Sequence, residues 1–335
     1  MWMLNLSRFI PLSSVALFCC LLHTSCSRTP VTQPVSVIWD TDIGPDFDDA
    51  GALAMLHHLA DSGRIHLLAT MASNRYPHTV AVLQILNSWY GRPRLPIGEA
   101  DSADAPIVPD GCGWTDSLMH EYGDVIAQAS APRPAVKLYR RLLAAAPDTS
   151  VVIISTGFFS NLAALLRSPA DGYAQENGVE LVRRKVKYLI SMAGAFPRGR
   201  EFNVYNDPLS AAYVADHWPT PIFFSGYEIG DSIFTGLPFI RHTQKRFPLQ
   251  LIFQTGLHCW HEDSTGHPSW DETAVLAAID TAHRLFDLHP GHIQIRADGF
   301  NSWENNPEGH QYYLMLKTPR PVLARIIDGY YLLER

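Results

Sequence analysis

Five short apolar segments recur along the chain, and polar residues seldom alternate with apolar ones within them. They occupy residues 35–39, 65–70, 151–155, 188–192 and 221–225. Such segments are typical of central strands in a parallel sheet that is covered on both faces. Helical periods separate them, at residues 48–60, 78–90, 135–146, 162–166 and 209–216. This order predicts an α/β fold: a single doubly wound domain with a mostly parallel central sheet flanked by helices.

The C-terminal part departs from this rhythm. Residues 292–296 and 311–317 have the composition of strands, and residues 319–333 have a helical period in which Pro321 fits the first turn. No low-complexity linker interrupts the chain after the first strand. We therefore expect residues 35–335 to form one domain.

The N-terminal residues resemble an export signal. A positive charge at Arg8 precedes an apolar run, residues 9–22, which is shorter than the roughly 18 to 20 residues that span a bilayer. The letters LLHTSC then resemble a bacterial lipoprotein box ending at Cys26, although His23 stands where an aliphatic residue is usual.

We therefore predict a signal peptide over residues 1–25 and a tether over residues 26–34 that begins with a lipidated Cys26. The protein would be an exported lipoprotein of the periplasm or cell surface, and only its lipid would contact the membrane. Secretion without a lipid is one alternative. A cytosolic protein whose first residues are not an export signal is another.

The charge balance argues against binding of nucleic acid. The chain has 26 Lys and Arg against 33 Asp and Glu, a net charge of −7, and no basic run. Outside the N-terminal segment the cysteines are Cys112 and Cys259, whose spacing matches no zinc pattern. They are either a disulfide or two unrelated buried thiols, and the sequence does not decide between these.

The first predicted strand leads into an unusually acidic segment. Asp40, Asp42, Asp46, Asp48 and Asp49 lie within ten residues, and carboxylates held this close repel each other unless a cation is present. Calcium suits such a segment because it takes 6 to 8 oxygen ligands. Capping of the following helix would account for Asp48 and Asp49 alone.

The same segment carries a resemblance to a known family. Residues 37–44, VIWDTDIG, followed by Asp48-Asp49-Ala50, resemble the N-terminal aspartate cluster of the inosine-uridine-preferring nucleoside hydrolases. Further motifs follow in that family's order, over roughly residues 35–278: Ser73-Asn74, Thr156-Gly157 with Asn161, Met192-Ala193-Gly194, Glu201-Phe202-Asn203 with Asp207-Pro208, and Trp270-Asp271.

The resemblance implies a calcium site and a reaction. The calcium ligands would be the carboxylates of Asp42, Asp49 and Asp271 and the backbone carbonyl of Thr156. A metal-bound water, deprotonated by Asp42, would attack the anomeric carbon of a ribosyl group through an oxocarbenium-like transition state.

The sugar contacts follow from the same resemblance. Asp48, Asn74, Glu201 and Asn203 would bind the sugar hydroxyls, and Met192 would pack against the ring. Each position also has a structural alternative. Asn74 could cap the helix that begins near Pro77, Glu201 and Asn203 could be ordinary loop residues, and Met192 could belong to the core.

Two features depart from the family pattern. The spacing from Gly44 to Asp48 is longer than in the short form of the motif, which leaves Asp46 without an assigned role. Trp270 also stands where many members carry a histidine that protonates the leaving base. On the leaving-group side we therefore consider two loop histidines and two tryptophans, His261, His267, Trp260 and Trp270.

Three functions remain open from the sequence. The first is calcium-dependent hydrolysis of the N-glycosidic bond of ribonucleosides or a related N-ribosyl compound. The second is a haloacid dehalogenase-type phosphatase, because Asp40-Thr41-Asp42 and Ser155-Thr156, each after a strand, resemble that family's nucleophile and phosphate-binding positions. The third is a non-catalytic ribose- or nucleoside-binding lipoprotein. The partner is a small ribosyl molecule, and the resemblance permits a homo-oligomer without specifying one.

Overall fold

The computed structural model describes residues 34–242, 247–280 and 282–333. The predicted signal peptide, Cys26 and all but the last residue of the tether lie outside the described residues. Within the described part, no helix combines the length and apolarity needed to cross a membrane. Pro34 to Arg335 forms one compact unit.

A large sheet forms the centre of this unit. In the described part of the chain, eleven strands share one sheet, in the order β4-β3-β2-β1-β5-β6-β8-β13-β11-β12-β7, and β9 pairs with β10 separately. Pairing is parallel from β4 through to β13 and antiparallel among β13, β11, β12 and β7. The strands are β1 Val35–Thr41, β2 Ile65–Ala72, β3 Ile97–Glu99, β4 Arg133–Pro134, β5 Val151–Thr156, β6 Val186–Met192, β7 Arg198–Arg200, β8 Ile222–Ser225, β9 Phe234–Thr235, β10 His267–Pro268, β11 Phe286–Ile295, β12 Phe300–Asn305 and β13 Gln311–Leu316.

Helices cover both faces of the sheet. They are α1 Asp48–Asp61, α2 Thr79–Trp89, α3 Trp114–Tyr122, α4 Ala135–Ala145, α5 Ser160–Arg167, α6 Gly178–Lys185, α7 Phe202–Asn206, α8 Pro208–His217, α9 Tyr227–Gly230, α10 Leu237–His242, α11 Pro248–Cys259, α12 Trp270–Ile279 and α13 Arg320–Tyr331, with a 3₁₀ turn at Gly123–Gln128. The first strand shows why two layers are needed. Val37 and Trp39 are buried in the cluster that includes α1, α2, α11, α12 and α13, whereas Ile38 is buried in the cluster of α4, α5, α6 and α8. The predicted doubly wound α/β fold is confirmed.

The antiparallel edge of the sheet differs most from the expectation. The strand expected at residues 292–296 begins earlier, at Phe286, and it pairs with β12, which was not predicted. Pro290 and Gly291 lie within β11, and both residue types are uncommon in strands. These two residues explain why the sequence pattern did not predict the first half of β11.

Cys112 and Cys259 form a disulfide, which settles the alternative that the sequence left open. The bridge joins the segment before α3 to the last residue of α11, and 147 positions separate the two cysteines. It therefore holds the start of the loop that follows α11 against a distant part of the chain.

Removing this bridge is expected to destabilise the domain. A cross-link over so long a loop restricts the unfolded chain, so the double variant C112S/C259S should lose about 2–4 kcal/mol of unfolding free energy. Denaturant titration measures this loss. A reductant should destabilise the wild type by a similar amount and leave the double variant unchanged; a wild type that is insensitive to complete reduction would refute the prediction.

Candidate active site

Residues from distant parts of the sequence meet at the carboxyl edge of the sheet. β1, β5 and β6 are adjacent and parallel, so Thr41 lies opposite Thr156, and Met192 ends the next strand. Asp42 follows β1 directly. The carboxyl ends of parallel strands are where open α/β sheets bind ligands.

A cavity of about 220 Å³ opens at this edge. Most of the residues singled out from the sequence line it: Asp42, Asp48, Asp49, Thr156, Met192, Glu201, Asn203, Trp260, His267, Trp270 and Asp271. The expected site residues that do not line it are Asn74 and His261. Asp46, to which the sequence assigned no role, also lines the cavity.

Three carboxylates at the inner end form a candidate metal centre. Oxygen atoms of Asp48, Asp49 and Asp271 lie within 4.8 Å of one another. Asp42 lines the same cavity, and its side chain is almost completely buried. Oδ2 of Asp271 is buried without a hydrogen-bond partner, so it is an oxygen with a free position for a ligand.

Burial and mutual repulsion make this cluster unfavourable without a cation. Burial raises the pKa of Asp49 to about 7. It also raises the pKa of Asp42 and of Asp271 well above the usual range, and the nearby charges of Asp49 and Asp48 respectively raise them further. A bound cation would stabilise the charged carboxylates. The donors are oxygens, which fits a hard ion of the calcium type.

The Asp49 carboxylate is held by the strands beneath it. Oδ1 of Asp49 accepts hydrogen bonds from the hydroxyls of Thr41 and Thr156, the second at 3.3 Å. The Thr156 hydroxyl in turn accepts one from the indole N–H of Trp39 at 3.1 Å. The ends of β1 and β5 therefore fix the direction of this carboxylate.

Asp48 explains how Asp271 reaches the cluster. Its Oδ2 accepts hydrogen bonds from the backbone N–H groups of Trp270 at 2.9 Å and Asp271 at 3.0 Å. These are the first residues of α12, and 222 positions separate Asp48 from Trp270. The capping role considered for Asp48 is therefore present, but the helix that it caps is α12 and not its own.

Glu201, Asn203 and Met192 form the side of the cavity expected to bind a sugar. The Glu201 carboxylate accepts hydrogen bonds from the backbone N–H groups of Gly194, Asn203 and Val204, at 2.7–3.1 Å. Burial nevertheless raises the pKa of Glu201 to about 7. Nδ2 of Asn203 donates to the Met192 carbonyl at 3.1 Å, whereas its Oδ1 is buried without a partner. That oxygen is a free acceptor for a hydroxyl group.

Asn74 lies behind the cavity and contacts backbone. Its Nδ2 donates to the carbonyls of Asp42 at 3.1 Å and Val108 at 2.8 Å. Its Oδ1 accepts from the N–H groups of Tyr76 and Val108. A contact between Asn74 and a sugar hydroxyl stays a prediction, and it would require one of these bonds to be given up. Helix α2 has His78 at its N-cap, so Asn74 does not cap it.

Aromatic side chains form another part of the cavity lining. Trp260 is 48% exposed, and Trp270 stacks on Tyr227 with 5.6 Å between the ring centroids. The Trp270 indole N–H donates to the Tyr227 carbonyl at 3.0 Å. His267 is buried, with its ring stacked on Phe47. His261 is exposed on the same loop, outside the lining of the cavity.

Sequence reasoning missed two aromatic residues of this cavity. Tyr227 follows β8, so the rule that sites lie after strand ends was sufficient to find it. Phe202 stands between two expected site residues, Glu201 and Asn203, and its ring is half-exposed.

Asp40, which the phosphatase hypothesis needs as its nucleophile, is enclosed in the core. It accepts hydrogen bonds from the Tyr139 hydroxyl at 2.8 Å and from Asn161 at 3.2 Å, and it does not line the cavity. Burial raises the pKa of Asp40 to about 7 despite these bonds. The geometry therefore disfavours attack by Asp40 on a substrate.

Gly157 permits the close contact between β5 and the segment that carries Asp42. A Cβ atom there would lie 2.3 Å from the Asp42 backbone nitrogen and 2.5 Å from the Ser73 hydroxyl. We expect Gly157→Ala to displace Asp42 and to destabilise the domain by about 1–3 kcal/mol, as overpacking usually does. Thermal unfolding and turnover test this, with Gly172→Ala as a control because space there is open. Wild-type turnover in Gly157→Ala would contradict the expectation.

A comparison with protein families identifies the relatives of this chain. Residues 37–313 match the model of the inosine-uridine preferring nucleoside hydrolase family. The chain belongs to this family. The resemblance noted in the sequence is thereby confirmed, and the protein is a hydrolase that acts on N-glycosyl bonds. No curated protein has a matching sequence.

Solved structures of two nucleoside hydrolases and of one effector protein share the fold. A plant nucleoside hydrolase is similar with a TM-score of 0.67 at 20% identity, over 90% of this chain and 100% of that one. A purine-preferring ribonucleoside hydrolase from Gardnerella vaginalis has a TM-score of 0.67 at 16% identity, over 89% and 100%. The type III effector protein XopQ, complexed with adenosine diphosphate ribose, has a TM-score of 0.63 at 15% identity, over 90% and 94%.

Proposed function

We propose that this nucleoside hydrolase family member cleaves the N-glycosidic bond of ribonucleosides, or of a related N-ribosyl compound, and that it requires calcium. One observation carries the proposal: Asp42, Asp49 and Asp271 line a single cavity together with Asn203, whose Oδ1 is a free buried acceptor. A hard cation and a polyhydroxylated ring are the ligands that these groups suit together.

The ion would be held by the carboxylates of Asp42, Asp49 and Asp271 and by the carbonyl of Thr156. When bound, calcium would lower the pKa of the attacking water and orient it. Asp42 would then take the proton of that water, because its carboxyl group directly follows β1 and lines the cavity. The other carboxylates stabilise the positive charge that develops on the sugar.

The rest of the cavity divides between sugar and leaving group. We assign the sugar hydroxyls to Asp48, Glu201 and Asn203, and the face of the ring to Met192. Asn74 positions Asp42 by donating a hydrogen bond to its backbone carbonyl. The leaving group would lie toward Trp260, Trp270 and His267, whose rings offer an aromatic base a surface for stacking.

A reducing-sugar assay across common ribonucleosides, with and without a calcium chelator, tests this proposal. The expected result is sugar release that depends on calcium. Tight nucleoside binding without turnover at saturating calcium would instead select the ribose-binding alternative. Magnesium-dependent release of phosphate from an aryl phosphate would select the phosphatase alternative.

We further propose that the protein is exported and anchored through lipidated Cys26. The support is the order of Arg8, the apolar run at residues 9–22 and the box that ends at Cys26. Expression in a bacterial host tests this: Cys26→Ser should move the protein from the membrane fraction to the soluble fraction. Thr32→Ser in the predicted tether serves as a control that should stay in the membrane fraction. Equal fractionation of Cys26→Ser and the wild type would refute the anchor.

A further inference from the structure

A second group of potential metal ligands lies in the same cavity. A ring nitrogen of His267 and carboxylate oxygens of Asp46 and Asp48 lie within 4.8 Å of one another. This group shares Asp48 with the group of Asp48, Asp49 and Asp271, but it contains an imidazole and none of the proposed calcium ligands Asp42, Asp49 and Asp271. Calcium takes oxygen ligands, whereas imidazole nitrogen is a characteristic ligand of zinc and similar ions.

The His267 side chain has an unused nitrogen. The residue is only 2% exposed, and its Nδ1 lies 2.6 Å from Oε2 of Glu262. Its Nε2 is buried and has no hydrogen-bond partner. A buried polar atom without a partner is rare in a native protein, so this nitrogen marks a position for a ligand.

The contacts around the ring fix the direction of Nε2. The imidazole stacks on Phe47, with centroids 3.9 Å apart and an angle of 27° between the planes. Because Glu262 engages Nδ1, Nε2 is the ring nitrogen left for the group with Asp46 and Asp48. A carboxylate on one ring nitrogen that directs the other toward an ion is the usual outer shell of a metal-binding histidine.

The charges at this position favour a cation. Six carboxylates line the cavity, namely Asp42, Asp46, Asp48, Asp49, Glu201 and Asp271, and no Lys or Arg is found among its described lining residues. Oδ2 of Asp48 accepts hydrogen bonds from the N–H groups of Trp270 and Asp271, and the Asp48 side chain also contacts that of Asp46. Nε2 of His267 has no hydrogen-bond partner that would compete with a cation.

We propose that Asp46, Asp48 and His267 form a second divalent-cation site, separate from the calcium site, and that this site takes zinc. Its ligands would be Nε2 of His267 and one oxygen from each aspartate. Three protein ligands leave one coordination position open, as in zinc sites that accept a further small ligand. The proposal concerns binding alone and does not depend on the identity of the substrate.

Isothermal titration calorimetry, in which zinc is added to the calcium-saturated protein, tests the site. The wild type should bind one equivalent of zinc without releasing its calcium. His267→Gln should weaken zinc binding by more than the roughly 10–100-fold that loss of an outer-shell partner causes, and Glu262→Gln should weaken it by about that amount. Cobalt used in place of zinc should give a visible absorption spectrum that His267→Gln abolishes.

His258→Gln is the matched control, at the C-terminal end of α11. His258 and Asp263 form an exposed imidazole–carboxylate pair, 3.3 Å apart, which could bind zinc at the surface. This control should leave zinc binding unchanged. Asp46→Asn provides a second variant in a half-buried loop position, so that a folding defect of His267→Gln, visible by circular dichroism, does not decide the question.

Two results would overturn the proposal. The first is equal zinc affinity in wild type, His267→Gln and Asp46→Asn. The second is release of one calcium ion for each zinc ion bound, which would mean a single shared site. Because no step of the test measures sugar release, its failure leaves the proposed hydrolase activity standing, and a protein that fails to cleave nucleosides can still bind zinc.

Discussion

Asp42→Asn should lower kcat for nucleoside hydrolysis by about 10²–10⁴-fold, which is the usual contribution of a general base. The substitution preserves the size of the side chain but removes the group that accepts the proton. The surrounding backbone contacts, including the bond from Asn74 to the Asp42 carbonyl, do not involve the carboxylate and should persist. Steady-state kinetics at saturating calcium measures the effect.

Asp101→Asn is the control for this experiment. Asp101 is exposed and lies outside the cavity, so the same chemical change there should leave kcat unaffected. Circular dichroism should show that both variants are folded. Wild-type turnover in folded, calcium-loaded Asp42→Asn would exclude Asp42 as the base.

Removal of calcium should abolish sugar release and lower the melting temperature. An ion that binds only the native state stabilises it by mass action, by about 2.7 kcal/mol when its concentration is 100 times the dissociation constant. Without the ion, the buried carboxylates of Asp42, Asp49 and Asp271 repel one another. Differential scanning calorimetry with and without a chelator measures the shift.

Asp271→Asn separates a specific site from general salt effects. The variant lacks one of the proposed ligands, so added calcium should raise its melting temperature far less than that of the wild type. Re-addition of calcium to the chelated wild type should restore both activity and melting temperature. The metal proposal fails if chelation changes neither quantity in the wild type.

The sequence was sufficient to predict most of the side chains that gather at the carboxyl edge of the sheet. Strands β1, β5 and β6 can be recognised from their apolar residues alone. Because they are neighbours in a parallel sheet, they bring Asp42, Thr156 and Met192 together. The same logic applied to β8 would have found Tyr227. Family motifs supplied the position of Asp271, which no local pattern could provide.

The sequence did not predict the orientation of each side chain or its hydrogen-bond partners. The capping of α12 by Asp48 joins residues 222 positions apart, so no local pattern reveals it. Asn74 stands after a strand as expected, yet its amide contacts backbone because the loop of Val108 passes beside it. The contact between Glu262 and His267 similarly depends on how the loop after α11 folds back over the cavity.

A crystal grown in excess calcium gives the most direct test of the proposed active site. An anomalous difference map should show one ion about 2.3–2.6 Å from oxygen atoms of Asp42, Asp49 and Asp271 and from the Thr156 carbonyl. Calcium bound elsewhere, or an ordered cavity in which these carboxylates hold no ion, would contradict the account.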